Sequence, residues 1–163
     1  VIPFMGKSLI KVFTGQRRVG KSYILYQLIQ KIQTESPDSP IIYINKEDLD
    51  FAFLNNAEDL NQYIKDQKKS GRLNYVFIDE IQDIANFQLA LRSLILDEEL
   101  DIYCTGSNAN LLSSDIAGLL SGRVIEINVY SLSYQEFLRF HGLTNSDNSL
   151  EKFLKYGGLP YLR

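Results

Sequence analysis

Eight consecutive residues, Gly15-Gln16-Arg17-Arg18-Val19-Gly20-Lys21-Ser22, constrain this chain more than any other feature. They match the pattern G-x-x-x-x-G-K-[ST] without a gap. Before them runs the apolar segment Leu9–Thr14, and after them the period changes. From Tyr23 onward Ile24, Leu25, Leu28, Ile29 and Ile32 fall on one helical face. Strand, glycine-bearing loop and helix in that order suit a polyphosphate. The glycines let backbone N–H groups turn inward, and the helix aims its positive end at the anion. Lys21 supplies a point charge for β and γ oxygens, and the Ser22 hydroxyl is a candidate Mg²⁺ ligand. At ordinary glycine usage a chance match arises in roughly one chain in a hundred of this length. The expected nucleotide-binding residues are therefore Gly15, Gln16, Arg17, Arg18, Val19, Gly20, Lys21, Ser22 and Tyr23, with a nucleoside triphosphate and Mg²⁺ as cofactors.

The rest of the chain alternates strands and helices. Ile41–Asn45 reads as an apolar strand, and a helix is expected from about Ala57 to Lys69, ended by Ser70-Gly71. Tyr75–Asp79 is a third strand, followed by a helix with Asn86 as its cap and Phe87, Leu91, Leu94 and Ile95 inward. Asp101–Thr105 and Arg123–Val129 make the fourth and fifth strands. Ser133 and Glu136 have capping-box spacing for a helix to about Phe140, and a last helix is expected over Ser149–Tyr156. Strands that are apolar throughout, separated by helices, imply a parallel sheet covered on both faces.

The third strand, Tyr75-Val76-Phe77-Ile78, ends in the pair Asp79-Glu80. Downstream of a phosphate loop, Asp79 would hold the Mg²⁺ shell and Glu80 would orient and deprotonate an attacking water. Thr105-Gly106-Ser107-Asn108 ends the fourth strand. If that strand lies between the first and third, Ser107 or Asn108 would face the γ-phosphate; the alternative is a turn in which Asn108 caps a helix. Arg123, before the fifth strand, is either a surface arginine or a finger reaching a neighbouring subunit's nucleotide. Arg17 and Arg18 either contact phosphate or pair outward with a partner domain, and Gln82 faces either nucleotide or partner. Asn45-Lys46-Glu47-Asp48 spells the guanine-selecting N-K-x-D. It precedes the acidic strand instead of following it, so it reads as a strand exit. His141, the sole histidine, reads as a surface or packing residue.

At 163 residues, 45% hydrophobic and 23% charged, the chain suits one globular domain with a single core. A net charge of −3 advertises neither nucleic acid nor an acidic membrane surface. No apolar run approaches the roughly 20 residues that span a bilayer, and Lys7 and Lys11 interrupt any signal-peptide core. The lone Cys104 suits a reducing cytoplasm. The chain begins at Val1 and ends at Arg163 just after Gly157-Gly158-Leu159-Pro160, which reads as a piece of a longer protein. A small-molecule kinase is a weaker reading, because no basic cluster lies near Asp79.

Gly15–Ser22, Phe77-Ile78-Asp79-Glu80-Ile81-Gln82, Thr105–Asn108 and Gly122-Arg123, taken together, resemble a group of bacterial and archaeal ATPases of the AAA superfamily. The likeness extends to Leu132-Ser133-Tyr134-Gln135-Glu136-Phe137 and to Gly157–Pro160, with Ser131 where the family usually shows proline. It implies a three-layer α/β/α P-loop NTPase core over 1–145, with a parallel five-strand sheet ordered 5-1-4-3-2. Residues 146–163 would begin a lid or linker region, followed by a further C-terminal domain. The resemblance also implies Glu80 as catalytic base, Lys21 as the catalytic cation, Asn108 or Ser107 as a γ-phosphate sensor and Arg123 as candidate finger. The function it implies is Mg²⁺-dependent ATP hydrolysis that drives or switches an attached domain, with a homo-oligomer, DNA or a protein as partner. The alternative is a slowly hydrolysing, ATP-gated binding switch.

Overall fold

The computed structural model describes residues 2–107, 120 and 122–160. Five strands, β1 (Ile10–Thr14), β2 (Ile41–Asn45), β3 (Asn74–Asp79), β4 (Leu100–Gly106) and β5 (Val124–Asn128), form one sheet. Its order is β2-β3-β4-β1-β5 and every pairing is parallel, as expected. The described helices are α1 (Lys21–Glu35), α2 (Ala57–Gln67), α3 (Phe87–Leu94), α4 (Tyr134–His141) and α5 (Asp147–Tyr156).

Alternation along the buried strands divides the core between two faces. Phe13, Phe77 and Tyr103 meet Leu25, Leu28 and Ile32 of α1. The rings of Phe77 and Tyr103 stack at 4.7 Å between centroids, adding an aromatic contact to their burial. On the opposite face Val12, Ile44, Val76, Ile78, Ile102 and Cys104 meet Leu60 and Ile64 of α2 and Leu91 and Leu94 of α3. Beyond the sheet, α4 and α5 pack on one another through Phe137 and Phe153, whose rings lie 5.3 Å apart.

Local chemistry sets most element ends. The α4 capping box forms as its spacing predicts: Ser133 accepts from the Glu136 amide, and Glu136 accepts from the Ser133 amide at 2.8 Å. Helix α5 begins at Asp147, two residues before the expected start, with Ser146 capping it through the Ser149 amide. Asn86 differs from expectation. It precedes α3 in a left-handed conformation, φ 54°, and its side chain makes no cap bond. Asparagine tolerates that region, so here it serves the turn and not the helix end.

Candidate functional site

Every strand of a parallel sheet ends on the same edge, and ligands of such sheets bind beyond the carboxyl ends. Here Thr14 of β1, Asp79 of β3 and Gly106 of β4 bring the glycine loop and the acidic pair to that edge.

The loop proper is Gly15–Gly20. Helix α1 starts at Lys21, two residues earlier than the apolar period suggests, so Lys21 and Ser22 belong to its first turn. Gly20 precedes it at φ 102° with no side-chain cap, which leaves the first-turn amides for an anion. Gly15 is fixed by crowding as well as by its φ of 149°. A Cβ there would stand 2.2 Å from the Val129 carbonyl oxygen, because β5 runs directly beside the loop. Buried Lys21 donates to the carbonyls of Gly15 at 3.1 Å and Gln16 at 3.2 Å. Burial pushes its ammonium below the ordinary lysine value, while Glu80 and Asp79 pull it back up. A desolvated cation thus sits against the loop, within the field of the two carboxylates.

Asp79 and Glu80 are buried where β3 leaves the sheet. The hydroxyl of Thr105 on β4 donates to Asp79 Oδ1 and accepts from the Glu80 amide at 2.9 Å. Glu80 itself is left-handed, φ 55°, and opens the 3₁₀ turn Ile81–Asp83. A non-glycine residue there is strained and persists only where its surroundings determine it. The Thr105 hydroxyl is one such restraint, and the turn bond from the Asp83 amide to the Glu80 carbonyl is another. Gln82 in that turn donates to Glu80 Oε2 at 2.6 Å, so it faces the acid directly.

Two adjoining cavities flank the start of α1. The smaller, about 310 Å³, is lined by Arg17, Arg18, Gly20, Lys21, Ser22, Tyr23, Glu47 and Glu80, a largely polar set. Arg17 lines this cavity and pairs with Glu47 at 2.7 Å across an exposed contact inside the chain. The larger cavity, about 760 Å³, is lined by Val19, Gly20, Tyr23, Ile24, Leu132, Phe140, His141 and Pro160. Its far wall forms because Gly158 lies against Leu132, whose amide donates to the Gly158 carbonyl at 2.7 Å. A Cβ on Gly158 would meet the Leu132 carbonyl oxygen at 2.1 Å. His141 packs against Phe137 and Phe140, and its Nε2 is buried with no hydrogen-bond partner among the described residues.

The other expected site residues are placed as follows. Ser107 follows β4 directly at the loop end of the sheet. Asn108 lies outside the described residues. Arg123 is exposed at the start of β5, where its carbonyl accepts from Ile10 at 2.8 Å, at the sheet end opposite the glycine loop. Thr105 and His141 were not anticipated as site residues. Thr105 belongs to the Thr105–Asn108 segment that ends β4, but its contacts reach across 25 and 26 residues of chain.

The donor chemistry fits Mg²⁺. Ser22 and Asp79 offer hard oxygen ligands, and among the described residues no three His, Cys, Asp or Glu cluster to hold an ion alone.

Comparison with known proteins agrees with this geometry. The AAA domain family profile matches residues 7–138. An uncharacterized protein of Haemophilus influenzae is 38% identical over 166 residues, covering 98% of this chain and 42% of the relative. One of Methanocaldococcus jannaschii is 35% identical over 163 residues, covering 93% of this chain and 35% of the relative. The chain thus spans less than half the length of either relative. Among solved structures, Caenorhabditis elegans PCH-2 superposes with a TM-score of 0.62 at 17% identity, over 96% of this chain and 43% of that one. Aeropyrum pernix ORC2, solved as ADPNP–ADP complexes, gives 0.61 at 14% identity, over 87% and 47%. Both structures share the fold. By profile, relatives and a sheet order that places β4 between the two phosphate-site strands, this chain belongs to the AAA domain family of P-loop ATPases.

Proposed function

We propose that this domain binds Mg·ATP and hydrolyses it to ADP and phosphate, and that the cycle drives or switches an attached domain. The observation that carries the reading is the convergence of Lys21, Ser22 and Glu80 on one polar cavity, with Asp79 buried beside it under Thr105. Ser22 and Asp79 would hold Mg²⁺, which when bound supplies charge neutralisation to the β and γ oxygens. Lys21, with the first-turn amides of α1, would hold the polyphosphate. Glu80 would accept a proton from the attacking water as its oxygen bonds to the γ-phosphorus. The bond to the β–γ bridging oxygen breaks, and ADP leaves with its electron pair. Catalysis of this kind is positioning and charge stabilisation, and a dry site strengthens both.

The larger cavity is the seat for the base. It is mostly apolar, it adjoins the start of α1, and its lining includes His141, whose buried Nε2 has no hydrogen-bond partner among the described residues. Tyr23 would lie along one face of the ring system. Arg123, at the opposite end of the sheet, would act only on a neighbouring subunit's nucleotide, and an oligomer is the arrangement that would use it. DNA or a protein partner would be engaged through the remainder of a longer chain. Among the described residues no helix is long and apolar enough to cross a membrane.

Thermal unfolding with Mg·ATP, Mg·GTP, ADP and no ligand tests the binding half. Ligand at about 100 times its dissociation constant adds roughly 2.7 kcal/mol, several degrees in a domain of this size. The shift should disappear in Lys21→Ala. A shift of equal size in that variant would sink the assignment of the phosphate site. Hydrolysis by the intact protein with Glu80→Gln tests the other half, and unchanged turnover would remove Glu80 as base.

A further inference from the structure

Gln82 makes one hydrogen bond that its neighbours explain and withholds another that they do not. Its Nε2 donates to Glu80 Oε2 at 2.6 Å and lies 3.5 Å from Asp83 Oδ1. Its Oε1 is buried and has no hydrogen-bond partner among the described residues. The amide cannot relieve this by turning over, because that would set Oε1 against the Glu80 carboxylate. Buried acceptors without partners are rare in folded proteins, and one beside a catalytic carboxylate calls for a ligand.

We propose that Gln82 is a second water-positioning residue, whose Oε1 accepts one hydrogen of the attacking water while Glu80 accepts the other. The proposal rests on Glu80 being the base. A water that directs a lone pair at phosphorus points both hydrogens away from it, and one carboxylate oxygen fixes only one O–H direction. The neighbouring acceptors are otherwise engaged. Thr105 gives its hydroxyl hydrogen to Asp79 and takes the Glu80 amide, and Asp79 Oδ1 receives that hydrogen. With Asp79 Oδ2 reserved for Mg²⁺, Gln82 Oε1 is a free acceptor beside Glu80 among the described residues. The same side chain ties down Glu80 Oε2 and so presents Oε1 of the carboxylate to the water.

The step balances. The water oxygen bonds to the γ-phosphorus, the bond to the bridging oxygen breaks, and its electron pair leaves with ADP. One proton passes to Glu80. The other stays on the new phosphate hydroxyl, hydrogen-bonded to Gln82 Oε1.

The experiment compares the intact wild-type protein with Glu80→Gln, Gln82→Met and Gln82→Glu. It reads kcat and KM for Mg·ATP, the dissociation constant for Mg·ATP and the unfolding midpoint. Methionine keeps the length and removes both the acceptor and the donor to Glu80, whereas glutamate keeps an acceptor but sets a second carboxylate against Glu80 Oε2. The expected result is a fall in kcat on the order of 10²-fold in Gln82→Met, the size of losing one positioned hydrogen-bonding group. Its dissociation constant and midpoint should stay near wild type, and Gln82→Glu, which repels the Glu80 carboxylate, should not recover the rate. An inert Glu80→Gln beside a Gln82→Met that keeps wild-type kcat overturns the Gln82 inference alone. A fall in kcat accompanied by weaker binding and a lower midpoint also overturns it, in favour of structural support. A Glu80→Gln that turns over like wild type brings down the reading of Glu80, and Gln82 with it.

Discussion

The hydroxyl of Thr105 accepts the Glu80 backbone amide at 2.9 Å, so β4 sets the position of the residue that follows β3. The same oxygen gives its hydrogen to Asp79, and thus one side chain holds both members of the acidic pair. Thr105→Val keeps the shape and deletes both bonds, leaving a buried amide and a buried carboxylate short of a partner. We expect it to lower stability by about 1–3 kcal/mol in urea unfolding. Hydrolysis at saturating ATP should also fall, because the left-handed backbone of Glu80 loses a restraint. Thr105→Ser retains the hydroxyl and should approach wild type in both. Equal behaviour of the valine and serine variants would show that the bond is incidental.

Gly15 is the loop glycine that cannot be replaced without moving another strand. Alanine there carries two penalties, a φ of 149° and a Cβ placed 2.2 Å from the Val129 carbonyl oxygen. Gly20, by contrast, meets nothing within 4 Å and faces only the conformational penalty of its φ of 102°. Gly15→Ala should therefore destabilise by clearly more than the roughly 1 kcal/mol typical of glycine changes, and more than Gly20→Ala. Unfolding midpoints of the two variants, measured without nucleotide, give the comparison directly.

The contrast between these residues explains what could be read in advance. The loop and the acidic pair were legible because they are contiguous, and the parallel sheet because apolar strands broken by amphipathic helices leave few architectures open. The strand order came from the family resemblance. What escaped depends on contacts between distant residues. Lys11 looked like an interruption of an apolar run, yet it is fully buried against Asp101, 90 residues away. His141 looked like packing, and its place at a cavity wall follows from the return of Gly158 onto Leu132. Asn86 is a residue type that caps helices, but with a left-handed φ its side chain makes no cap bond.

His141 offers the test of where the base sits. His141→Leu preserves an apolar wall and removes Nε2. Loss of one neutral hydrogen bond, about 0.5–1.5 kcal/mol, corresponds to a roughly 2- to 12-fold weaker Kd for ATP. Inorganic tripolyphosphate, which has no base, should bind the variant as it binds wild type. Parallel weakening of both ligands would move the effect to the phosphate loop, and no weakening of either would remove His141 from base recognition.

At the sheet end away from the loop, Lys11 and Asp101 form an ion pair in which both side chains are at most 1% exposed. The pair is well supplied with partners. Lys11 also donates to the Lys7 carbonyl at 2.9 Å, and Asp101 accepts from the Tyr103 hydroxyl and the Gly6 amide, each at 2.8 Å. Removing one member of such a pair strands a buried charge. Lys11→Met should therefore lose on the order of 3–5 kcal/mol, while Lys11→Met with Asp101→Asn, which leaves no charge, should lose less than the two single changes added. Strict additivity in urea unfolding would mean that the charges do not interact. Alkaline pH supplies a second reading. Burial pushes Lys11 below its ordinary value of 10.5 despite the pull of Asp101. In the window just below that value the unfolded chain then binds more protons than the folded one, so stability contributed at this site rises with pH. Lys21 is shifted the same way, so the slope must be compared in a Lys21→Met background. Tyr43, Tyr75 and Tyr103, whose hydroxyls burial pushes up, contribute in the opposite sense, so the readout is the difference in slope. In that background Lys11→Met should make the slope less positive, and an unchanged slope would place the titrating group elsewhere.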